Sequence, residues 1–127
     1  MRNYRLDTEA GAQAAIFSWC DINRETYPEL KLLHHIPNGG KRDKATAIKL
    51  KQQGVKAGVP DLMLPVARAG YHGLYIELKK SDHTNKPTAK QKEWLKALSE
   101  QGYYTAVCYG CDEAVEELKK YLESEGE

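Results

Sequence analysis

Two apolar runs joined by a short turn limit the fold of this chain more than any other part of its sequence. Residues 61–67 read DLMLPVA and residues 72–79 read HGLYIELK, with the turn residues Ala69-Gly70 between them. Runs of this length, rich in aliphatic and aromatic residues and bounded by turn residues, predict the two strands of a β-hairpin. Because Pro65 cannot donate a backbone hydrogen bond, the first strand is expected to lie at an edge, to carry a bulge or to end early.

The two runs also carry charged residues that a buried hairpin would not need. Asp61 and Glu77 are equally distant in sequence from Ala69, so a hairpin that turns near Ala69-Gly70 places Asp61 roughly opposite residue 77 or 78, and the two acids can approach each other across the strand pair. Side chains alternate between the two faces of a strand, and Glu77 and Lys79 therefore project to the same face. The sequence thus predicts that two carboxylates and one ammonium group converge at one end of the sheet.

Adjacent carboxylates repel each other and favour a bound cation. Oxygen ligands suit hard ions such as Mg²⁺ or Mn²⁺, and such an ion can activate water and neutralise the charge that builds on a phosphate group. Lys79 could position that water or stabilise the same charge. A simpler alternative stays open at this point: Glu77 and Lys79 could form a surface salt bridge, with Asp61 as a turn residue.

The rest of the chain predicts helices packed on a mixed sheet. The predicted helices are 8–24, capped by Asp7 or Thr8, then 43–53, 89–101, capped by Thr88, and 111–124; the predicted strands are 31–36, 61–67, 72–79 and 103–109. Residues 72–109 form a strand–helix–strand passage, and a right-handed crossover of this kind joins parallel strands. The predicted fold class is therefore α/β, a small mixed β-sheet flanked by helices.

Length and composition favour a soluble globular protein with a single domain over residues 1–127. No apolar run approaches the roughly 20 residues of a membrane span. The N-terminal residues 1–13 lack the apolar core of an export signal, and three cysteines do not make a disulfide framework. We therefore expect a reduced, cytoplasmic setting.

The net charge of +1 hides an uneven distribution of charge. Residues 31–56 contain seven Lys or Arg against one acid, whereas residues 112–127 contain seven acids against two Lys. The basic segment suggests a polyanionic partner whose phosphates it would contact without reading base sequence, although ordinary solvated surface charge is the alternative. Few aromatic residues lie among these cations, which favours duplex or branched DNA over a single strand. The candidate DNA-binding cations are Lys41, Arg42, Lys44, Lys51 and Lys56.

Several motifs together resemble a known nuclease family. Pro60-Asp61 followed by Glu77-Leu78-Lys79 resembles the PD-(D/E)XK nuclease superfamily, and more narrowly the chain is similar to stand-alone VRR-NUC domains of the phage and bacterial type. The supporting segments are HIPNGG at 35–40, GVPDL at 58–62, YIELK at 75–79, Gln91 in the helix that follows, and Glu9 with Gln13 in the first helix. The resemblance spans about residues 8–108.

The resemblance implies a PD-(D/E)XK core of αβββαβ type and a hydrolase that cleaves phosphodiester bonds of DNA with Mg²⁺ or Mn²⁺. It implies that Asp61 and Glu77 are metal ligands together with the backbone carbonyl of Leu78. It makes Lys79 the catalytic lysine. It also makes Glu9 an outer metal ligand that reaches in from the first helix.

Two further roles follow from the same resemblance. Gln91 would orient the site as a further catalytic residue, and Asn38, a candidate DNA-binding residue, would lie near the site in a loop that faces DNA or the dimer partner. The stand-alone members have the size of junction resolvases and tend to dimerise. We therefore expect a homodimeric endonuclease selective for DNA structure, with branched, Holliday-junction-like or flap substrates, acting in the host cytoplasm if a phage encodes it.

Two other functions are compatible with parts of the sequence. A nuclease-like fold could hold DNA or a protein partner without cutting, although the complete set of Asp61, Glu77 and Lys79 argues against this. Cys108 and Cys111 form a C-x-x-C pair between a strand and a helix, which is compatible with a small redox protein. That pair begins the last helix rather than the first, so structural thiols are the preferred interpretation.

Overall fold

The computed structural model describes residues 4–38 and 43–125. The elements are α1 (Glu9–Ile22), a 3-10 helix (Pro28–Leu32), β1 (His34–His35), α2 (Lys44–Gln52), β2 (Leu62–Leu64), β3 (Leu74–Lys79), α3 (Ala89–Glu100), β4 (Tyr104–Tyr109) and α4 (Cys111–Glu123). The predicted α/β class, a mixed sheet flanked by helices, is confirmed. Within the described ranges, no helix has both the length and the apolar character that a membrane crossing requires.

The sheet contains four strands in the order β1-β2-β3-β4. β1 and β2 are antiparallel, as are β2 and β3, whereas β3 and β4 are parallel. The parallel pair is connected through α3, as the strand–helix–strand passage predicted. β3 is therefore an internal strand with a partner along each edge, which fixes the position of the residues that it carries.

The hairpin brings the two acids to the same end, as predicted, although its register shifts by one residue between the bridge Arg68–Tyr71 at the turn and the pair Leu64–Leu74, where the first strand has one extra residue. Leu62 of β2 pairs with Ile76 of β3. Continued by one residue, this register places Asp61 opposite Glu77. The two acids therefore lie at the same end of the strand pair, where β2 begins and β3 approaches its end.

The turn of the hairpin is short and follows from its two residues. Ala69 and Gly70 have φ angles of 50° and 85°, and two consecutive left-handed residues match the twist of a two-residue hairpin turn. β2 ends at Leu64, directly before Pro65, so the expected early end of this strand is confirmed.

The C-terminal helix holds the hairpin near its turn. The Tyr121 hydroxyl donates a hydrogen bond to the carbonyl of Val66 over 2.5 Å. The amide of Ala69, within the turn, donates to the carbonyl of Glu125 over 2.8 Å. These bonds join the end of the chain to the strand pair that carries the two acids.

The core lies between one face of the sheet and the helices α1 and α4. Its sheet residues alternate along the strands, because every second side chain points to this face. α3 contributes no residue to this core among the described residues. The core comprises chiefly Ala12, Ile16 and Cys20 of α1, Leu62, Leu64, Leu74, Ile76, Leu78 and Cys108 of the sheet, and Ala114, Leu118, Tyr121 and Leu122 of α4.

The segment predicted as a strand at 31–36 is only partly extended. The 3-10 helix occupies Pro28–Leu32, and the strand is limited to His34–His35. The proline ring of Pro28 fixes φ at a value that suits the first position of a helical turn, and Leu30 within this turn is buried. The alternation of apolar residues alone could not reveal this turn.

The basic helix α2 stands apart from the core. None of its residues is buried, and Ile48 is 50% exposed. The Asp43 carboxylate caps the helix by accepting hydrogen bonds from the amide and the hydroxyl of Thr46. The helix is therefore stabilised by its cap and its own backbone, and its amphipathic pattern serves a surface other than the core.

Candidate active site

The site is built on the two acids at the end of the hairpin. Oδ2 of Asp61 accepts a hydrogen bond from the amide of Leu78 over 2.7 Å. This bond continues the strand pairing beyond the end of β2 with a side chain in place of a backbone carbonyl. Asp61 is thereby fixed against β3, next to Glu77.

Glu77 and Lys79 are buried at this end of β3, on the face opposite Leu78. Only 1% of Glu77 and 5% of Lys79 is exposed. Nζ of Lys79 lies 3.7 Å from Oε2 of Glu77, so the pair is an ion pair inside the protein and not on its surface. Within the described part of the chain, Oε1 of Glu77 is buried and has no hydrogen-bond partner. A buried carboxylate oxygen without a partner is rare and points to a ligand.

The environment of Glu77 as a whole disfavours the ionised form of its carboxyl group. Burial and the Asp61 carboxylate raise the pKa of Glu77 to about 8, although Lys79 acts in the opposite direction. Burial also raises the pKa of Asp61, while the hydrogen bond from the Leu78 amide lowers it. The two carboxyl groups thus share a buried environment that favours a proton or a cation between them.

The backbone of Leu78 adds a third oxygen to this group. The amide and the carbonyl of one strand residue point to the same edge of the strand. The amide of Leu78 points to Asp61. The carbonyl of Leu78 therefore lies along the same edge, beyond the end of β2.

These oxygens fit a hard divalent cation. Mg²⁺ commonly takes one or two carboxylates and keeps several waters, so a cage of protein ligands is not required. Among the described residues, no group of three or more His, Cys, Asp or Glu side chains is arranged to hold a metal. The residues that could hold the ion are therefore Asp61, Glu77 and the carbonyl of Leu78.

Glu9 lies close to this pair but is held by another residue. Its charge raises the pKa values of both Asp61 and Glu77, so it faces the same site. Nδ2 of Asn85 donates a hydrogen bond to Oε2 of Glu9 over 2.9 Å. Oδ1 of Asn85 also accepts from the amide of Lys80 over 3.3 Å. Asn85 thus connects α1 to the end of β3, and nothing in its polar loop sequence indicated this role.

Gln91 forms a capping box with Thr88. The Thr88 side chain accepts from the amide of Gln91 over 3.1 Å, and Oε1 of Gln91 accepts from the amide of Thr88 over 2.8 Å. The predicted cap of α3 at Thr88 is confirmed. A catalytic role of Gln91 stays a prediction.

Asn38 connects the site to a neighbouring groove. Its Nδ2 donates a long hydrogen bond of 3.5 Å to Oδ1 of Asp61, and it also lines a cavity beside α2. Lys51 and Lys56, two of the predicted DNA-binding cations, line the same cavity. Lys44 is exposed at the start of α2. The predictions for Lys41 and Arg42 fall outside the described residues.

The thiols have the properties of structural cysteines. Burial raises the pKa values of Cys20 and Cys108 to about 12, and burial also raises the pKa of Cys111. A thiol of this kind is a poor nucleophile because the reactive thiolate is scarce at neutral pH. The redox alternative is thus disfavoured.

Comparisons with known proteins identify the family and the fold of the chain. The sequence model of the VRR-NUC domain matches residues 7–112. A solved structure of a VRR_NUC domain protein superposes with a TM-score of 0.79 at 32% identity, over 99% of this chain and 94% of that chain. No curated protein matches the chain. The resemblance inferred from the sequence and its PD-(D/E)XK-like fold are confirmed.

Proposed function

The chain belongs to the VRR-NUC domain family, a family of nuclease-type domains, and from this premise we propose that it is an Mg²⁺- or Mn²⁺-dependent deoxyribonuclease. The observation that carries the proposal is the buried group of Asp61, Glu77 and Lys79 at the end of the hairpin, with one oxygen of Glu77 unpartnered among the described residues. The reaction is the hydrolysis of a phosphodiester bond.

The two carboxylates would hold the cation together with the carbonyl of Leu78. When bound, the ion would supply positive charge that offsets the charge of the phosphate and lowers the pKa of nearby water. The protein's contribution is rigidity: Asp61 is fixed by the Leu78 amide, and Glu77 is fixed by the central strand. Such preorganisation avoids a reorganisation cost during the reaction.

Lys79 is the residue that would act on the water and the phosphate. Its ammonium group offers three donors, and its ion-pair partner within the described ranges is Glu77 at 3.7 Å. The remaining donors could orient the attacking water and stabilise the negative charge that develops on the phosphate oxygens. Glu9 would act as an outer ligand, and Gln91 would orient the site from α3.

The substrate would be DNA held along the basic side of the molecule. Asn38, Lys51 and Lys56 lie together at one cavity beside the site, and Lys44 lies at the start of the same helix as Lys51. We expect selectivity for duplex or branched DNA of particular structure, such as junctions or flaps. A homodimer would present two sites for paired cuts, since closed twofold symmetry is the common form of small assemblies.

The test is a cleavage assay on duplex, flap and four-way DNA with Mg²⁺, with Mn²⁺ and with EDTA. We expect cleavage only with a divalent cation, and we expect Lys79→Ala to reduce it by at least about 100-fold, the lower range for losing one group that stabilises developing charge. The matched control is Lys80→Ala, because Lys80 is the adjacent residue and is exposed.

Two results would contradict the proposal. Cleavage by Lys79→Ala at the wild-type rate would show that Lys79 is not the catalytic lysine. Binding of DNA without cleavage, on every substrate and with each metal, would instead favour a non-catalytic module that holds DNA.

A further inference from the structure

A cavity of about 710 Å³ lies beside the candidate active site. Its size is within the range of roughly 300–1,000 Å³ that is usual for ligand pockets. It is formed by α2, by the first half of α3 and by residues 53–60, which follow α2 and are called the connector. The lining residues that matter here are Asn38, Leu50, Lys51, Val55, Lys56, Lys90 and Trp94.

The apolar part of the lining explains the amphipathic pattern of α2. Leu50 is the only residue of α2 that is partly buried, and it lines the cavity together with Val55 and the indole of Trp94. The helix therefore turns its apolar side to a cavity that remains open, and not to the core. The lining thus contains an aromatic ring and aliphatic side chains on which a flat apolar group could lie.

The connector approaches α3 closely enough to form one wall of the cavity. Gly58 has a φ of 92°, and a Cβ at this position would lie 2.9 Å from Cδ1 of Trp94 and 2.6 Å from Cγ of Lys90. Only glycine allows this approach. The indole is thus held from one side by the connector, which limits its freedom to move away from a ligand.

The charged part of the lining is entirely positive. Lys51, Lys56 and Lys90 contribute three ammonium groups, and no acidic residue of the described ranges lines the cavity. Apolar walls with an aromatic ring and several cations match a nucleotide, whose base is flat and whose phosphates are anionic.

The cavity and the site share one residue. Asn38 lines the cavity and donates a hydrogen bond of 3.5 Å to Asp61. A nucleotide in the cavity would therefore be a close neighbour of the phosphate positioned at Asp61 and Glu77.

We propose that this cavity binds an unpaired nucleotide of the DNA strand that is cut, next to the scissile phosphate. The proposal rests on the proposed nuclease function and specifies its substrate class. Bases in an intact duplex are stacked and paired, so they could not reach the indole of Trp94 in a concave cavity. A gap, a flap or a junction supplies a base that is free to enter, which gives a physical basis for selectivity towards such DNA.

The test compares a fully paired duplex with a duplex of the same sequence that contains a short single-stranded gap. Both are titrated into the protein in EDTA, so that the result does not depend on cleavage. Trp19 and Trp94 are the only tryptophans, and Trp19 lies on α1 near Tyr27. In the Trp19→Phe variant, the tryptophan fluorescence thus reports on Trp94 alone. We expect the gapped DNA to quench this fluorescence and to bind more tightly, whereas the paired duplex leaves the fluorescence unchanged.

Variants separate the role of the ring from effects on folding. We expect Trp94→Ala to weaken binding of the gapped DNA by at least about fivefold and to leave binding of the paired duplex unchanged, because base–aromatic stacking is lost. Trp94→Phe keeps a ring and should retain the preference. Lys90→Ala should weaken binding of the gapped DNA more than Lys92→Ala, because Lys92 is exposed and does not line the cavity.

The outcomes distinguish this proposal from the one on which it rests. Equal affinity for both DNA molecules with no change of Trp94 fluorescence would overturn the nucleotide cavity and leave the nuclease proposal standing. A lack of binding to any DNA in EDTA would overturn the nucleotide cavity, whereas the nuclease proposal would be decided by the cleavage assay with Mg²⁺ and Mn²⁺. Retention of the preference by a folded Trp94→Ala variant would also overturn the role given to the cavity.

Discussion

At the scale of single residues, the burial of Glu77 determines how stability depends on pH. Its pKa is raised to about 8 in the folded protein, from an ordinary value of 4.5. Between these pH values the folded protein retains a proton that the unfolded chain has lost. The free energy of unfolding therefore falls as pH rises from about 4.5 to about 8. Asp61 contributes in the same direction because its pKa is raised as well.

We expect Glu77→Gln to flatten this fall, because an amide does not titrate. The measurement is urea unfolding in EDTA across the stated range of pH. Glu93→Gln is the matched control, since Glu93 is an exposed acid on α3, and it should retain the wild-type fall. A wild-type pH profile in Glu77→Gln would show that the Glu77 carboxyl does not hold the retained proton.

Much of the candidate site was predictable because it depends on one hairpin. The turn at Ala69-Gly70 indicated the partner of Asp61 to within one residue, and strand alternation placed Lys79 on the same face as Glu77. The extra residue near Pro65 that settles the register was not predictable from the turn. The contact of Asn85 with Glu9 was not predictable, because the two residues lie far apart in the sequence. A contact between distant segments of this kind leaves no periodic signal in a single sequence.

At the scale of elements, Gly58 decides how the connector after α2 lies against α3. It has a left-handed φ of 92°, and an added Cβ would lie within 3 Å of side chains on α3, whereas Gly54 has a φ of 99° and open space around the same position. We expect Gly54→Ala to lower the free energy of unfolding by about 1–2 kcal/mol from backbone strain alone. Gly58→Ala should cost clearly more.

Urea unfolding of the two glycine variants gives this comparison directly. The difference between them isolates the clash with Lys90 and Trp94, because both substitutions share the strain of a left-handed residue. Equal losses of unfolding free energy in the two variants would mean that Lys90 and Trp94 move away from the added Cβ without a cost in stability.

Helix starts that depend on neighbouring residues were predicted correctly. A segment whose conformation depends on packing against other elements was not. Thr8 and Thr88 cap α1 and α3 as expected, because capping depends on the next three residues alone. The strand predicted at 31–36 was wrong in its first part, where Pro28 starts a 3-10 turn and Leu30 enters the core. Leu30 is buried in a core that also includes residues of the sheet and of α4, and a short apolar pattern does not encode such packing.

At the scale of the whole molecule, positive and negative charges are concentrated in different segments of the chain. The lysines of α2, the connector and α3 surround the cavity, whereas the acids are concentrated on α4 and beyond it. We expect DNA affinity to fall linearly on a logarithmic scale of salt concentration. Lys51→Ala should reduce the magnitude of this slope by about one, since one phosphate contact is lost.

Binding isotherms at several salt concentrations test this expectation, with Lys120→Ala as the matched control. Lys120 is an exposed lysine of similar length that lies on acidic α4. An equal change of slope for the two variants would mean that DNA does not prefer the lysines around the cavity.

The sheet topology was predictable from the sequence, because the strand–helix–strand crossover indicates parallel strands. The position of α2 away from the core was not predictable. A helix that packs on a core and a helix that lines a cavity show the same amphipathic pattern.

The tie between α4 and the hairpin makes the geometry of the two acids depend on a distant helix. The Tyr121 hydroxyl bonds to the carbonyl of Val66, and the carbonyl of Glu125 accepts from the amide of Ala69, so α4 and the residues directly after it brace the strand pair that carries Asp61 and Glu77. A change that unfolds α4 would remove this brace while leaving every proposed site residue in place. A helix that supplies none of the site residues thus contributes to the rigidity of the frame beneath them.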